Sequence, residues 1–405
     1  MYLVRQKYLD KLISYKDKDI VKVITGIRRC GKSVLLFDIY YDYLINSGIE
    51  QTHIIKINLE TKKNADLRNS DRLYNYITEQ VKDENRYYIF IDEIQLVENF
   101  EDVVNGLRVD INCDLYITGS NSKLLSKDIN TKMRGRSIEI KVYPFSFAEY
   151  YGFYGGDIRK CFNNYLMYGG MPYLLFETEN ANKADYLKMI CDTVVSKDII
   201  DRYAIRGENV FNAVIEFLCS NIGSYVSANK ICDTLRSNGY SKVAPETIGN
   251  YLEYLCESYL FYKAQRYDIK GKAYLKTLNK YYVSDLGIRN SKLNYRQIEI
   301  THSIENIVYL DLLRRGYVVD IGKNANKEVD FVARNDSDLY YIQVAYSIAD
   351  PEKNEQEISS FYGLDDGYKK IVITMDDDPF VILKNGYKKI NLFDFLLDDG
   401  ALERI

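Results

Sequence analysis

One octapeptide constrains this 405-residue chain more than any other stretch: Gly26-Ile27-Arg28-Arg29-Cys30-Gly31-Lys32-Ser33. It fits G-x(4)-G-K-[ST] without a mismatch. A β-rich run, VKVIT at 21–25, precedes it. SVLLFDIYYDYLINSG, apolar at helical spacing, follows and is closed by Gly48. Strand, glycine loop and helix is the context in which this motif has chemical meaning. The glycines let backbone N–H groups curl around phosphate oxygens, and the helix presents its positive end. Lys32 then reaches the β/γ oxygens and Ser33 holds Mg²⁺. Residues 26–34, ending at Val34, are the candidate nucleotide-binding residues.

The downstream pattern extends this unit into a layered domain. HIIKINLE at 53–60 reads as a strand and DRLYNYITEQVKD as a helix. RYYIFIDEI at 86–94 is almost uninterruptedly apolar and ends in two acids, as a buried parallel strand does. NFEDVVNGLRVD is helical, CDLYITGSNS the next strand, SKLLSKDINTKMRGR a helix or turn, and SIEIKVYPF the last strand. Strands alternating with helices predict a doubly wound α/β domain, taken as 1–153. The strand signal then stops, and 154–205 reads as helices. Over 206–295, helices are followed by SANKICDTLRSNG, APETIGNYLEYLCESY and two β-like runs, LFYKAQRYD and KAYLKTLNKYYVS. Helix, helix, hairpin is the pattern of a winged helix. The remainder, 296–405, begins with a helix (HSIENIVYLDLLRRG). It continues through YVVDIG, KEVDFVAR and LYYIQVAYS to an acidic helix and KKIVITMD, a smaller α/β domain with its own sheet.

Composition narrows the class. Hydrophobic residues are 46% and charged residues 28%, ordinary for globular protein and excluding collagen, a wholly disordered chain and a disulfide mini-protein. No apolar run approaches the roughly 20 residues of a membrane span, and the N-terminus breaks every apolar patch with charge, unlike a signal peptide. Seven isolated cysteines and two histidines offer no Cys/His zinc site and fit a reducing cytoplasm. The net charge of −4 is unevenly placed: 13 cations against 9 acids over 201–295, but 13 against 21 over 296–405. The basic excess points to a segment able to meet nucleic acid.

Asp92-Glu93 closes the strand YYIFIDEI, and a carboxylate at that end of a parallel strand faces the ligand crevice. Asp92 is the candidate Mg²⁺ ligand, directly or through water, and Glu93 the base that polarises attacking water. Thr118-Gly119-Ser120-Asn121 ends the next strand, where a polar side chain could orient that water; Ser120 is the favoured candidate. Arg134 and Arg136 flank Gly135 before the last strand, and either could neutralise charge developing on the γ-phosphoryl, from this chain or a neighbour.

GIRRCGKS, YYIFIDEIQ, YITGSNSKLL, the RGR before a strand ending YPFSFAEYY, and YGGMP together resemble the prokaryotic AAA+ ATPases that carry a C-terminal domain of unknown function. KAYLKTLNKYYVSDLGIRN, ENIVYLDLLRRGY, EVDFVA and YYIQVAYS resemble that family's C-terminal half. The resemblance implies ATP hydrolysis, a helical lid over 154–205, a winged-helix segment and a restriction-endonuclease-like tail. Such a tail uses a helix acid, a strand acid and E/Q-x-K, the acids for Mg²⁺ and the lysine for the nucleophilic water. Glu305, Asp330 and Gln343 occupy those places, but the lysine position is Ala345, which implies a degenerate site kept for binding or docking.

The hairpin holds Lys263, Arg266, Lys270, Lys272, Lys276 and Lys280, opposed by Asp268 alone, and basic hairpins track phosphates. A helix-turn-helix also docks proteins. The expectation is an α/β protein with a P-loop AAA+ core, lid, winged helix and degenerate nuclease-like domain. It would couple ATP hydrolysis to duplex DNA or a protein partner, with a homo-oligomer open. The alternatives are a nucleotide-gated switch with little turnover and, against Ala345, an ATP-dependent nuclease.

Overall fold

The computed structural model describes residues 2–122, 132–133, 135–240, 242–296, 298–378 and 380–404. Five β-rich runs become the strands β1 (Val21–Thr25), β2 (Ile54–Asn58), β3 (Tyr87–Asp92), β4 (Cys113–Gly119) and β5 (Ser137–Lys141). They form one sheet in the order β2-β3-β4-β1-β5, every pair parallel. All residues of β1 and β3 are buried, so burial does not alternate along these strands, and the buried Lys22 of β1 is paired with Asp114 of β4. Ile89, Ile91, Leu115 and Ile117 join Leu73 and Ile77 of helix Ser70–Gln80 and Val103, Val104 and Leu107 of helix Phe100–Asp110 in the core. Because β4 lies between β1 and β3, three strand ends converge on the loop after β1. Register pairs Thr25 with Gly119 and Ile91 with Ile117. The fold class is that of an AAA+ α/β core, as the sequence predicts.

The chain divides into two compact units. The first is Met1–Pro144 with Glu257–Tyr259; the second is Phe145–Cys256 with Leu260–Ile405. The boundary expected at 153 therefore falls nine residues early. The reason is aromatic packing: Phe147 of helix Phe147–Tyr154 meets Phe162 edge-on at 5.1 Å and Phe393 at 6.0 Å, both in the second unit.

The second unit carries helices Ile158–Tyr168, Asn180–Thr193, Glu208–Ser220, Ala228–Ser237 and Pro245–Glu257. Its strands are β6 (Tyr225–Val226), β7 (Phe261–Asp268), β8 (Ala273–Val283), β9 (Val318–Asn324), β10 (Lys327–Arg334) and β11 (Leu339–Ala345). They continue with β12 (Lys369–Thr374), β13 (Val381–Ile382) and β14 (Lys388–Asn391). All nine form one sheet, β13-β14-β12-β11-β10-β9-β7-β8-β6. This corrects the expectation of separate domains at 206–295 and 296–405. β7 runs parallel to β9, Arg266 opposite Ile321, and so the hairpin's edge is covered instead of exposed. The helix Ile300–Arg314 packs on this sheet through buried residues such as Ile304, Val308 and Leu312. Among the described residues, no helix is long and apolar enough to cross a membrane.

Candidate functional site

The loop after β1 is built by backbone conformations that its residues single out. Gly26 has φ +143°, and a Cβ there would lie 2.1 Å from the Val142 carbonyl oxygen. Gly31, at φ +99°, turns the chain into the helix that starts at Lys32. Arg29 also sits at positive φ. Ile27 and Cys30 are buried beneath the loop, and the Cys30 thiol donates to the Val142 carbonyl at 3.2 Å; burial pushes that thiol's pKa up. Arg28 reaches outward to Glu60 at 2.7 Å, and Val34 is 38% exposed on the first helical turn. The Lys32 ammonium donates to the Gly26 and Ile27 carbonyls at 2.9 and 3.1 Å, which folds it over the loop.

Ser33 and Asp92 meet directly, Ser33 Oγ donating to Asp92 Oδ2 at 2.8 Å. Two further residues hold that carboxylate: Asn58, which was not among the sequence candidates, and Thr118, which was considered there for orienting water and not for holding Asp92. Asn58 Nδ2, at the end of β2, donates to Oδ2 at 3.2 Å, and Thr118 Oγ1, in β4, donates to Oδ1. Their signal was present: each is a polar residue at the end of a buried apolar strand. Thr118 Oγ1 also accepts the Glu93 backbone N–H at 3.2 Å.

Glu93 stands at φ +57°, a left-handed conformation that a non-glycine residue rarely adopts. It is 8% exposed. Burial and the adjacent Asp92 raise its carboxyl above the ordinary range, opposed by Lys32 and Arg28. Ser120 Oγ donates to Glu93 Oε2 at 3.4 Å, and Gln95 Nε2 donates to the same oxygen. Ser120 thus contacts the candidate base, while Thr118 contacts the candidate metal ligand. Gln95 was not among the sequence candidates.

Arg136 lies elsewhere. Its carbonyl accepts from Val21 N–H at 2.9 Å, at the start of β1, and its guanidinium is 3.7 Å from Asp19 at the exposed surface. The loop leaves the other end of β1, four residues on, about 13 Å away at the rise of a parallel strand. Arg134 lies outside the described residues.

In the second unit Glu305, Asp330 and Gln343 are brought together and buried. Asp330 N–H donates to Gln343 Oε1 at 3.2 Å, and Val344 N–H donates to Asp330 Oδ2 at 2.8 Å. A break in the β9–β10 register between Val329 and Val332 aims Asp330 here. Lys280, expected to face DNA from the hairpin, is instead 4% exposed, with Nζ 2.9 Å from Glu305 and 2.6 Å from Glu328. The correction has a plain cause: three carboxylates surround a position on β8 that pairs with both β6 and β7. Burial and the charge of Glu305 push Asp330 well above the usual carboxylate range. Lys280 thus places a buried cation among these carboxylates, engaged by Glu305 and Glu328.

The remaining hairpin cations divide. Lys263, Lys270 and Lys272 are exposed, while Arg266 is half-buried over the Tyr225 ring at 5.0 Å. The Lys276 side chain lies outside what the structure describes.

Residues 18–151 match the family model of the AAA domain, and residues 159–299 match a domain of unknown function. An uncharacterized protein of Haemophilus influenzae is 41% identical over 91% of this chain and 92% of its own length. An uncharacterized protein of Methanocaldococcus jannaschii is 31% identical over 84% of this chain and 78% of its own. Among solved structures, the Aeropyrum pernix ORC1 protein in complex with DNA is 11% identical, covering 73% of this chain and 94% of that one, TM-score 0.29. Cdc6p from Pyrobaculum aerophilum is 12% identical over 73% and 96%, TM-score 0.31.

Proposed function

This chain belongs to one family with the H. influenzae and M. jannaschii proteins and carries an AAA domain at residues 18–151, and on that premise we propose that it is a Mg²⁺-dependent ATPase coupling hydrolysis to a DNA or protein partner. The observation that carries the reading is the convergence of Ser33, Asp92, Thr118 and Glu93 through direct hydrogen bonds at the ends of β1, β3 and β4.

The site's chemistry follows from those contacts. Lys32 exchanges the Gly26 and Ile27 carbonyls for phosphate oxygens, and loop N–H groups take the remaining charge. Ser33 and Asp92 offer the hydroxyl and carboxylate oxygens that Mg²⁺ accepts beside phosphate, and the ion would neutralise charge building on the transferred phosphoryl. Asn58 and Thr118 keep the Asp92 carboxylate aimed. Glu93, its proton affinity raised by burial, takes the proton of the attacking water, oriented by Ser120 and Gln95. The position of Arg136 supports a finger acting on a neighbouring subunit's nucleotide rather than its own, and so a homo-oligomer.

The order helix, β6, helix, helix, β7, β8 over 208–283 supports a winged helix, and exposed Lys263, Lys270 and Lys272 support contact with phosphates. Lys280, committed to Glu305 and Glu328, supports a C-terminal domain that docks rather than cuts. Seven free cysteines support a reducing, cytoplasmic setting.

The test is steady-state ATP turnover of wild type, Lys32→Ala and Glu93→Gln, alongside nucleotide binding. Lys32→Ala should lose binding. Glu93→Gln should bind ATP and turn over at least about 100-fold slower. Wild-type binding without turnover would favour the nucleotide-gated switch; full turnover in Glu93→Gln would refute the assignment of the base.

A further inference from the structure

Arg136 stands far from the nucleotide loop, yet other arginines lie on the loop and against it. Arg5 is buried and donates to the Cys30 and Tyr143 carbonyls at 3.3 and 2.7 Å, so it supports the loop's backbone. Arg29 sits at φ +68° and is exposed. Arg28 does neither. It reaches from the loop to the segment that follows β2, where Nη1 lies 2.7 Å from Glu60 Oε1.

That segment is tied to the crevice. Glu60 N–H donates to Asn58 Oδ1 at 2.9 Å, and the same Asn58 amide donates to Asp92 Oδ2. Leu59 N–H donates to the Asp92 carbonyl at 3.2 Å. Arg28, Glu60, Asn58 and Asp92 thus form one hydrogen-bonded chain that ends at the candidate metal ligand. Burial raises the Glu93 carboxyl, and Arg28 is one of two cations, with Lys32, whose charge opposes that rise. Arg28 is therefore within electrostatic reach of the candidate base as well. Its pair with Glu60 is easily given up. The Glu60 side chain is 53% exposed, and a solvated carboxylate holds a guanidinium weakly. A triphosphate entering the loop offers denser charge, and paired oxygens that the planar guanidinium fork fits.

We propose that Arg28 is a catalytic residue of this chain's own site: with ATP bound, its guanidinium leaves Glu60 and donates to γ-phosphate oxygens. This rests on the ATPase reading above and deepens it, adding a cation in cis to the one that Arg136 would bring to a neighbour. In the reaction the water oxygen bonds to the γ-phosphorus, and the bond from that phosphorus to the β–γ bridging oxygen breaks. The water's proton passes to Glu93, and the electron pair stays on the ADP that leaves. Charge gathers on the γ-phosphoryl oxygens meanwhile, and Arg28 neutralises it there.

The experiment uses the full chain, with ATP and ADP affinities by calorimetry beside steady-state turnover. Arg28→Ala should lower turnover at least about 100-fold, the loss on removing one donor to transition-state charge. It should weaken ATP binding at least about tenfold, as for one charged hydrogen bond, and leave ADP binding near that of wild type. Arg28→Lys keeps the charge without the fork and should recover part of both losses. Glu60→Gln removes the competing carboxylate and should tighten ATP binding. A loss in Glu60→Gln equal to that in Arg28→Ala, or equal weakening of ATP and ADP, would reduce Arg28 to a structural ion pair and overturn the proposal. Mixing Arg28→Ala chains with Lys32→Ala chains should restore no turnover, because an arginine acting in cis cannot be lent; restoration would overturn the cis assignment. Wild type that binds ATP without turnover would sink the ATPase reading, while the ATP-over-ADP preference of Arg28→Ala would still decide whether Arg28 meets the γ-phosphate. Full turnover in Arg28→Ala beside an active wild type would sink only this proposal.

Discussion

Replacing Lys280 by methionine tests the most unexpected contact in the second unit. The ammonium is 4% exposed and shared between Glu305 at 2.9 Å and Glu328 at 2.6 Å. Glu305 is itself buried and also accepts from Tyr282 OH at 2.6 Å. Methionine fills the space but leaves buried carboxylate without its cation, and breaking a buried pair from one side costs about 3–5 kcal/mol. At about 2–4 °C per kcal/mol for a unit of this size, the melting temperature should fall by roughly 6–20 °C. The pH dependence gives a second handle. Burial raises the Glu305 pKa, but Lys280 and the hydrogen bonds outweigh it and hold the group below its ordinary value. A depressed carboxylate contributes stability above its unfolded pKa, lost as pH falls through the folded one. The deficit of Lys280→Met should therefore be largest at neutral pH and shrink in acid, below about pH 4. Urea unfolding of wild type, Lys280→Met, Glu305→Leu and the double variant at neutral pH and again below about pH 4 reads both effects. A single-variant loss under about 1 kcal/mol, or strict additivity in the cycle, would refute the reasoning.

Asp285 is buried, accepts Gly170 N–H at 2.7 Å and Ile288 N–H at 3.2 Å, and its carboxyl is pushed up to about 6 chiefly by burial. A raised carboxyl pKa means stability is highest below the unfolded pKa and falls as pH rises toward 6; Asp285→Asn, measured by thermal unfolding, should flatten that fall, and an unchanged pH profile would reject it. Gly26→Ala should weaken ATP binding at least about tenfold in calorimetry, since left-handed strain of about 1–2 kcal/mol adds to the clash with Val142. Mixing Arg136→Ala chains with Lys32→Ala chains should restore ATP turnover that neither shows alone; a fully active monomer at high dilution would remove the finger from the neighbour's site.

The nucleotide loop was legible because its determinants are contiguous. Strand, glycine turn, lysine and helix N-terminus lie within about a dozen residues, and glycine at 26 and 31 reports backbone geometry directly. The acids at 92 and 93 were legible for a similar reason, since an apolar run buried on both faces can end usefully only at the sheet's crevice. The contacts of Asn58 and Thr118 with Asp92 were not, because they depend on β3 lying between β2 and β4, a pairing between distant segments. Arg136 has the residue type of a finger, yet only the parallel register of β1 and β5 places it at the far end of the sheet from the loop. The same holds for Lys280. Read along the chain it is one of six hairpin cations; its neighbours Glu305 and Glu328 come from a helix and a strand 25 and 48 residues away. Strand alternation tells which face a side chain takes, but not which element covers that face. That second choice is made by long-range pairing and burial, and here it turned a presumed DNA contact into an internal ion pair.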